Sequence, residues 1–249
     1  MNEKDKKSLN EILIVVAASL FLGFILALTL KWPILSIEPM DFLFMFGLSL
    51  IICCVFVGAQ KFVAHRLECE TRTILLGFKR YWFGPTKFGS GEFSFRFPLW
   101  IVLPLLLFFV TNGFFKWLAI LDFDIDTKPG RAGRKFYAIE ERDVAKISMA
   151  GPVAVIILAI ISKAIGLATG IQNFTSFAVI CSMFVFLALI PFGIGFKLLS
   201  SSRFIWLFLF IFSFVFLAMM KMQSIALMIA ASVIFALIVL IRYYLLEQK

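Results

Sequence analysis

One short stretch of the chain groups side chains that could bind a metal ion. His65, Glu68, Cys69 and Glu70 lie together, and on a helix His65 and Cys69 would share a face at the i, i+4 spacing. A catalytic zinc site needs three protein ligands and an open position for water, whereas this chain has a single His. We therefore expect a polar turn that binds no cofactor. The alternative is a metal site, for which His65 and Cys69 are the candidate ligands.

Three acidic residues alternate along a second stretch, at Asp122, Asp124 and Asp126. On a strand they would share one face, because side chains alternate with a period of two. Three carboxylates on one face could bind Ca²⁺. The other interpretation is a solvated loop, and it is the one we favour for this charged stretch.

Lysines at positions 61, 116 and 163 lie in or near apolar runs. A charged side chain inside a membrane usually faces the protein interior or reaches to the lipid headgroups. All three lie near the end of an apolar run, so we expect them to reach the interface. A proton or ion pathway is the alternative.

The composition is that of a membrane protein. Hydrophobic residues make up 62% of the 249 residues and charged residues 16%, against about 45–50% and about 25% in soluble domains. The net charge of +9 comes from Lys and Arg between apolar runs, where basic residues mark cytoplasmic loops. We expect the lipid bilayer as a partner, and not nucleic acid.

A spanning helix needs about 20 apolar residues, and the chain offers six clear runs of this kind. The first is too long for the apolar core of a signal peptide, so we expect a retained anchor. A seventh run, Phe97–Leu121, is interrupted by Pro98, Pro104 and Asn112. The six runs are Ile12–Leu30, Phe42–Val63, Ile147–Leu167, Phe174–Leu199, Phe204–Met220 and Ser224–Leu240.

The two long loops, 65–96 and 122–146, each carry six Lys or Arg residues. Both are predicted to be cytoplasmic, because basic loops stay on that side. This requires that Phe97–Leu121 enters the membrane and returns. We therefore predict a single integral membrane domain over 1–249, with six spans, one re-entrant segment and cytoplasmic termini in the cell membrane; seven spans is the alternative.

Three motifs follow one another in an order that can be compared with that of a known protein family. They are FVGAQKFVAHR at 56–66, KISMAGPV at 146–153 and LIPFGIGFK at 189–197. Together they resemble the site-2 protease family of intramembrane zinc metalloproteases, especially its short archaeal-type members, over residues 42–203. The family has H-E-x-x-H before a similar basic run, then an A-G-P helix, then N-x-x-P-x-x-x-x-D-G. The resemblance implies an all-α polytopic fold with a three-helix core of Phe42–Val63, Ile147–Leu167 and Phe174–Leu199, to which further transmembrane helices are added.

The matching positions lack the family's chemistry. Its two zinc-binding His and its catalytic Glu correspond to Phe56, Gln60 and Val57, and its Asp ligand corresponds to Phe196. None of these side chains can complete a zinc site or act as general base. What remains of the motifs is structural, namely Ala150, Gly151, Pro152, Pro191 and Gly193.

The resemblance therefore implies a pseudoprotease. We expect a catalytically inactive, site-2 protease-like protein that binds or scaffolds transmembrane segments or other membrane partners, with Phe56, Val57 and Phe196 packed into the lost metal site. Two alternatives stay open. One is an intramembrane metallopeptidase with a non-standard metal site around His65, and the other is a small transporter or channel.

Overall fold

Long apolar helices dominate the structure. The computed structural model describes residues 3–31, 34–36, 39–79, 96–127 and 140–247. In these ranges six helices are long and apolar enough to cross a bilayer: Leu9–Ala27, Pro39–Arg66, Glu141–Thr169, Gln172–Leu189, Arg203–Lys221 and Ile225–Leu245. The expectation of a multi-pass membrane protein with six candidate spans is confirmed at this level.

The described strands lie between the first four helices, and the fourth to eighth helices follow one another without a strand among the described residues. A 3-10 turn, Met219–Lys221, follows the seventh helix. In chain order the elements are α1 Glu3–Ala27, β1 Thr29–Lys31, β2 Ile34–Ser36, α2 Pro39–Arg66, β3 Cys69–Leu75, β4 Phe78–Lys79, β5 Arg96–Phe97, α3 Leu99–Val110, β6 Leu121–Thr127, α4 Glu141–Thr169, α5 Gln172–Leu189, α6 Ile194–Ser201, α7 Arg203–Ala218 and α8 Ile225–Glu247.

Strand pairs depart from the all-α prediction. The longest joins β3 and β6, antiparallel, in a register that runs from Cys69↔Thr127 to Leu75↔Leu121. β3 alternates between buried and exposed residues and is rich in Thr, as suits a strand with one covered face. The predicted loops 65–96 and 122–146 therefore contain β3 and β6, and the first turns of α4 also belong to the second. Asp122 and Asp124 lie on a strand and not in a solvated loop.

The predicted seventh run, Phe97–Leu121, contains only the twelve-residue helix α3. A helix of this length rises about 18 Å, which is less than the roughly 30 Å of bilayer hydrocarbon. It ends in a turn at Asn112 and Gly113, both with positive φ, and an extended stretch then leads into β6. α3 is absent from the candidate spans for this reason.

The predicted helix Phe174–Leu199 is broken into α5 and α6. Pro191 cannot donate a backbone hydrogen bond, and Gly193 has φ +62°, which a residue with a side chain rarely adopts. A Cβ on Gly193 would lie 2.6 Å from Cδ1 of Leu76. The break therefore depends on these two residues and brings the start of α6 against the segment after β3.

The directions of α1 and α2 are fixed by two contacts. Ser49 Oγ donates to the Ser19 carbonyl over 2.7 Å, and Lys61 pairs with Glu11, so the helices are antiparallel. We call the end of the bundle that holds Glu11 and Lys61 the Lys61 end. At the other end, Lys116 Nζ donates to the carbonyl of Leu26 over 2.6 Å.

The described residues of segment 69–127, which are 69–79 and 96–127, reach both of these ends. The segment starts and finishes at the Lys61 end, where Cys69 pairs with Thr127. At the far end of β3, the carbonyl of Leu76 accepts from Trp100 N–H, and the Trp100 ring packs edge-on against Phe21 in the C-terminal third of α1. Residues 69–76 therefore reach from the Lys61 end past the midpoint of α1. α4 packs against α2, α5 and α6.

Candidate functional site

Phe56 fills the interface between α2 and α4. Its side chain is 1% exposed, and the Phe184 ring of α5 packs edge-on against it with centroids 5.2 Å apart. A Cβ on Gly151 would lie 2.7 Å from Phe56 Cε2, so α4 admits the ring only because residue 151 is glycine. The position that the resemblance assigns to a zinc-binding His is thus occupied by packed apolar groups.

Val57 and Gln60 lie beside Phe56 on α2. Val57 is buried, which fits its predicted place in the core. Gln60 is also buried, at 3% exposed, but its Nε2 atom has no hydrogen-bond partner in the described part of the chain. The position that the resemblance assigns to the second zinc-binding His therefore carries an amide NH₂ group without a partner among the described residues.

Phe196 does not pack with Phe56 and Val57, contrary to the prediction. It is 59% exposed on α6. The prediction assumed that α5 continues as one helix to residue 199, whereas the break at Pro191 changes which residues of α6 face inward. Ile194 and Leu198 are buried.

Lys197 forms a charged cluster with the sheet. Its Nζ lies 2.9 Å from Asp122 Oδ1 and 3.7 Å from Asp124 Oδ1, and also donates to the carbonyl of Phe123. The Phe123 N–H donates to Asp122 Oδ1 over 2.8 Å. In the register of this pair, the backbone groups of Phe123 point away from β3. Lys197 and Asp122 therefore satisfy the free edge of β6 at that residue.

This cluster lies towards the end of the sheet that is opposite to the Cys69–Thr127 pair. Asp122 is near Gly193 and one residue beyond Leu121, at the end of the sheet that lies near Trp100 and Phe21. The Lys197 and Asp122 side chains are 27% and 14% exposed. Sequence analysis missed the pair because its members are 75 residues apart. A lysine just after a Pro and Gly break was the available signal.

His65 and Cys69 do not share a helical face. α2 ends at Arg66, and Cys69 is the first residue of β3, after Glu68 turns the chain with φ +55°. His65 is exposed, while Cys69 is buried with its Sγ 3.5 Å from the Leu67 carbonyl. Among the described residues, no group of three or more His, Cys, Asp or Glu could hold a metal ion.

The three lysines in apolar runs have different surroundings. Lys61 is partly exposed at its helix end and pairs with Glu11, as expected of a residue near the interface. Lys116 donates to the carbonyls of Leu26 and Leu28. Lys163 is only 5% exposed and donates to the Met220 carbonyl in the turn after α7, so the prediction that it reaches out of the protein is wrong. A free backbone carbonyl at the end of α7 offers the ammonium a nearer partner than the headgroups.

Comparison with protein-family models, with curated proteins and with solved structures gives no match to this chain.

Proposed function

We propose that this protein is a catalytically inactive membrane protein, similar to site-2 proteases, that binds or holds a transmembrane segment of a membrane partner. The observation that supports the proposal is the packing of the Phe56 ring between Gly151 and Phe184. A zinc hydrolase needs space at the metal for water and substrate. At the motif position of this chain the space holds an aromatic ring.

The break between α5 and α6 supports the binding role. Pro191 and Phe192 are exposed there, although Gly193 contacts Leu76 near the middle of the bundle. Irregular backbone at membrane depth is tolerated only where protein or a water-filled cavity shields it from lipid. A transmembrane segment of a partner, lying over Phe192 and Phe196, would supply that shield. In the proteases that this chain resembles, the same region would receive the substrate.

A membrane placement follows for segment 69–127. We infer that it enters and leaves at the Lys61 end, because Cys69 and Thr127 are paired there. The turn at Asn112 then lies towards the other membrane face, since Lys116 contacts the end of α1. With the basic residues of the two loops, this supports a cytoplasmic Lys61 end and a re-entrant segment rather than a seventh span.

Photo-crosslinking tests the binding role. A photoreactive phenylalanine analogue at Phe196 is expected to give one protein adduct of defined mass in native membranes. The matched control is Phe235, which is similarly exposed on α8 and should give lipid adducts alone. The same protein adduct from both positions, or lipid adducts alone from both, would contradict a binding surface at the break.

Restoring the protease motif tests the loss of catalysis. The quadruple variant Phe56→His, Val57→Glu, Gln60→His, Phe196→Asp should be less stable in detergent and should not cleave a model transmembrane substrate. An imidazole would replace a packed ring, and the exposed Phe196 position does not face Phe56. Tight zinc binding with cleavage by this variant would show that the groove is still a working active site.

A second candidate is a small ion or proton transporter, which the cluster of Lys197, Asp122 and Asp124 favours. Ionisable groups at membrane depth often mark ion pathways. Proteoliposomes with a pH-sensitive dye inside would reveal proton flux under an imposed potential. Flux that Asp122→Asn abolishes would favour transport over the binding role, and no flux above that of protein-free liposomes would exclude a proton path.

A further inference from the structure

Three buried polar atoms have no hydrogen-bond partner in the described part of the chain: Gln60 Nε2, Ser148 Oγ and Thr71 Oγ1. Their residues are 3%, 0% and 7% exposed. Such atoms are rare in folded proteins, because an unpaired polar group in an apolar interior costs free energy. Other buried serines of this chain, Ser182 and Ser232, donate to a carbonyl one helical turn earlier. The unpaired state of Ser148 is therefore specific to its position.

Gln60 and Ser148 belong to the same helix interface. Gln60 lies one turn after Phe56 on α2, and Ser148 lies one turn before Gly151 on α4, so each shares a helix face with a member of the Phe56–Gly151 contact. α2 ends at the Lys61 end, and α4 begins 14 residues after Thr127, the last residue of β6, which also lies there. Both polar groups therefore lie on the Lys61 side of Phe56.

Thr71, on the sheet, lies at the same level along the bundle axis as Gln60. It is the third residue of β3, which starts directly after α2 and packs against that helix. Two strand residues cover about 6–7 Å, and the six residues from Gln60 to Arg66 cover about 9 Å. Thr71 and Gln60 thus lie at similar depth, with the Thr71 side chain on the buried face of β3.

We propose that a small cluster of buried water molecules occupies this place and bridges α2, α4 and β3. The three side chains do not hydrogen-bond one another through these atoms, so each atom needs a partner from elsewhere. A buried water makes about three hydrogen bonds, and it can accept from an amide N–H while it donates to or accepts from hydroxyls. The NH₂ group of Gln60 is a donor and needs an acceptor, which a water oxygen supplies and a metal ion does not.

Stability measurements distinguish a hydrated site from a dry one, because the two predict changes of opposite sign in the unfolding midpoint when one polar side chain is removed. The variants are Gln60→Met, Ser148→Ala, Thr71→Val and the triple combination, with Ser232→Ala as the control because its hydroxyl bonds within its own helix. If water bridges the groups, each single substitution removes a partner and should lower the unfolding midpoint by about 2–4 °C. The triple variant should lose less than the sum, because no polar group is then left unpaired.

The proposal fails if the single substitutions raise the midpoint, as expected when an unpaired group is removed from a dry core, or if the three losses simply add. A density map of the wild-type protein at about 2 Å or better gives a test that does not depend on any variant folding. Water density within about 3.2 Å of Ser148 Oγ and of the Gln60 amide is expected. An empty or closed interface there would overturn the proposal.

Discussion

Substitution of Gly151 by alanine directly tests the packing of the Phe56 ring against α4. The added Cβ would lie 2.7 Å from Cε2, 2.8 Å from Cδ2 and 3.0 Å from Cζ of the Phe56 ring. Carbon atoms in contact prefer about 3.5–4.0 Å. The ring cannot move away freely, because Phe184 packs against it at 5.2 Å between centroids. The helices α2 and α4 must therefore separate or the ring must leave its rotamer.

The expected cost is that of an overpacked core, about 1–3 kcal/mol. Gly58→Ala is the matched control, since a Cβ there meets nothing within 4 Å. Both substitutions replace a helical glycine by alanine and share the same gain in helix propensity, about 1 kcal/mol. The difference between the two variants thus isolates the clash. At about 2–4 °C per kcal/mol for a chain of this size, Gly151→Ala should unfold about 2–12 °C below Gly58→Ala.

Thermal unfolding in mild detergent, followed by tryptophan fluorescence, measures this difference. A double-mutant cycle then tests whether Phe56 is the residue that clashes. Phe56→Ala alone removes a buried ring, which costs about 3–5 kcal/mol in aqueous cores and less between helices already in lipid. Added to it, Gly151→Ala should become neutral or stabilising, because its methyl group enters the vacated space. Equal midpoints for Gly151→Ala and Gly58→Ala would refute the packing described for this interface.

Three further predictions rest on the site and the topology. Elemental analysis of the purified protein should find no stoichiometric zinc; about one zinc per chain would contradict the pseudoprotease proposal. Single cysteines at Glu68 and Glu140, in a cysteine-free background, should react with an impermeant thiol reagent from the same membrane face, whereas one at Phe114 should not; opposite faces for Glu68 and Glu140 would show that segment 69–127 spans. Lys197→Met should lower the unfolding midpoint because Asp122 loses its cation, and adding Asp122→Asn should recover part of the loss; purely additive effects would contradict the pairing.

The positions of the spans could be predicted because they depend on local composition. The apolar run Ser224–Leu240 became α8, and Ile147–Leu167 became most of α4, with boundaries a few residues further out. Helix length and hydropathy are properties of neighbouring residues, so no tertiary information was needed. Pro104 and Asn112 likewise indicated that Phe97–Leu121 was no ordinary span.

The strands could not be predicted in the same way. β3 has three Thr or Ile residues beside Glu70 and Arg72, and such a short mixed run can be a strand or a polar loop. Its state is decided by β6, which begins 46 residues after β3 ends. The charged pair of Lys197 and Asp122 depends on this same pairing, because it is β6 that carries Asp122 to α6.

The position of α6 shows where the resemblance led the prediction astray. Counting from the motif without a gap places Phe196 at the position of the family's Asp ligand, on the assumption of an unbroken helix. Pro191 and Gly193 were visible in the sequence and are sufficient to end α5. With a break at these residues, the sequence would not have determined which side of α6 faces the protein interior. Lys197 would then have been as good a candidate as Phe196 for an inward-facing residue.

A metal ion is one of few ways to keep several polar side chains in a membrane core, because it satisfies them all at once. A chain without the ion must replace those side chains or give them other partners. Here Phe56 and Val57 are apolar at positions that the resemblance assigns to a metal ligand and to the general base. Lys197 is paired with Asp122, and Gln60 is polar with a proposed water as its partner. A single substitution towards the family's motif places a polar side chain in the apolar surroundings that this chain has at that position. Phe56→His alone would place an imidazole against Gly151 and Phe184 without metal, and should therefore destabilise the protein more than the conservative Phe56→Leu.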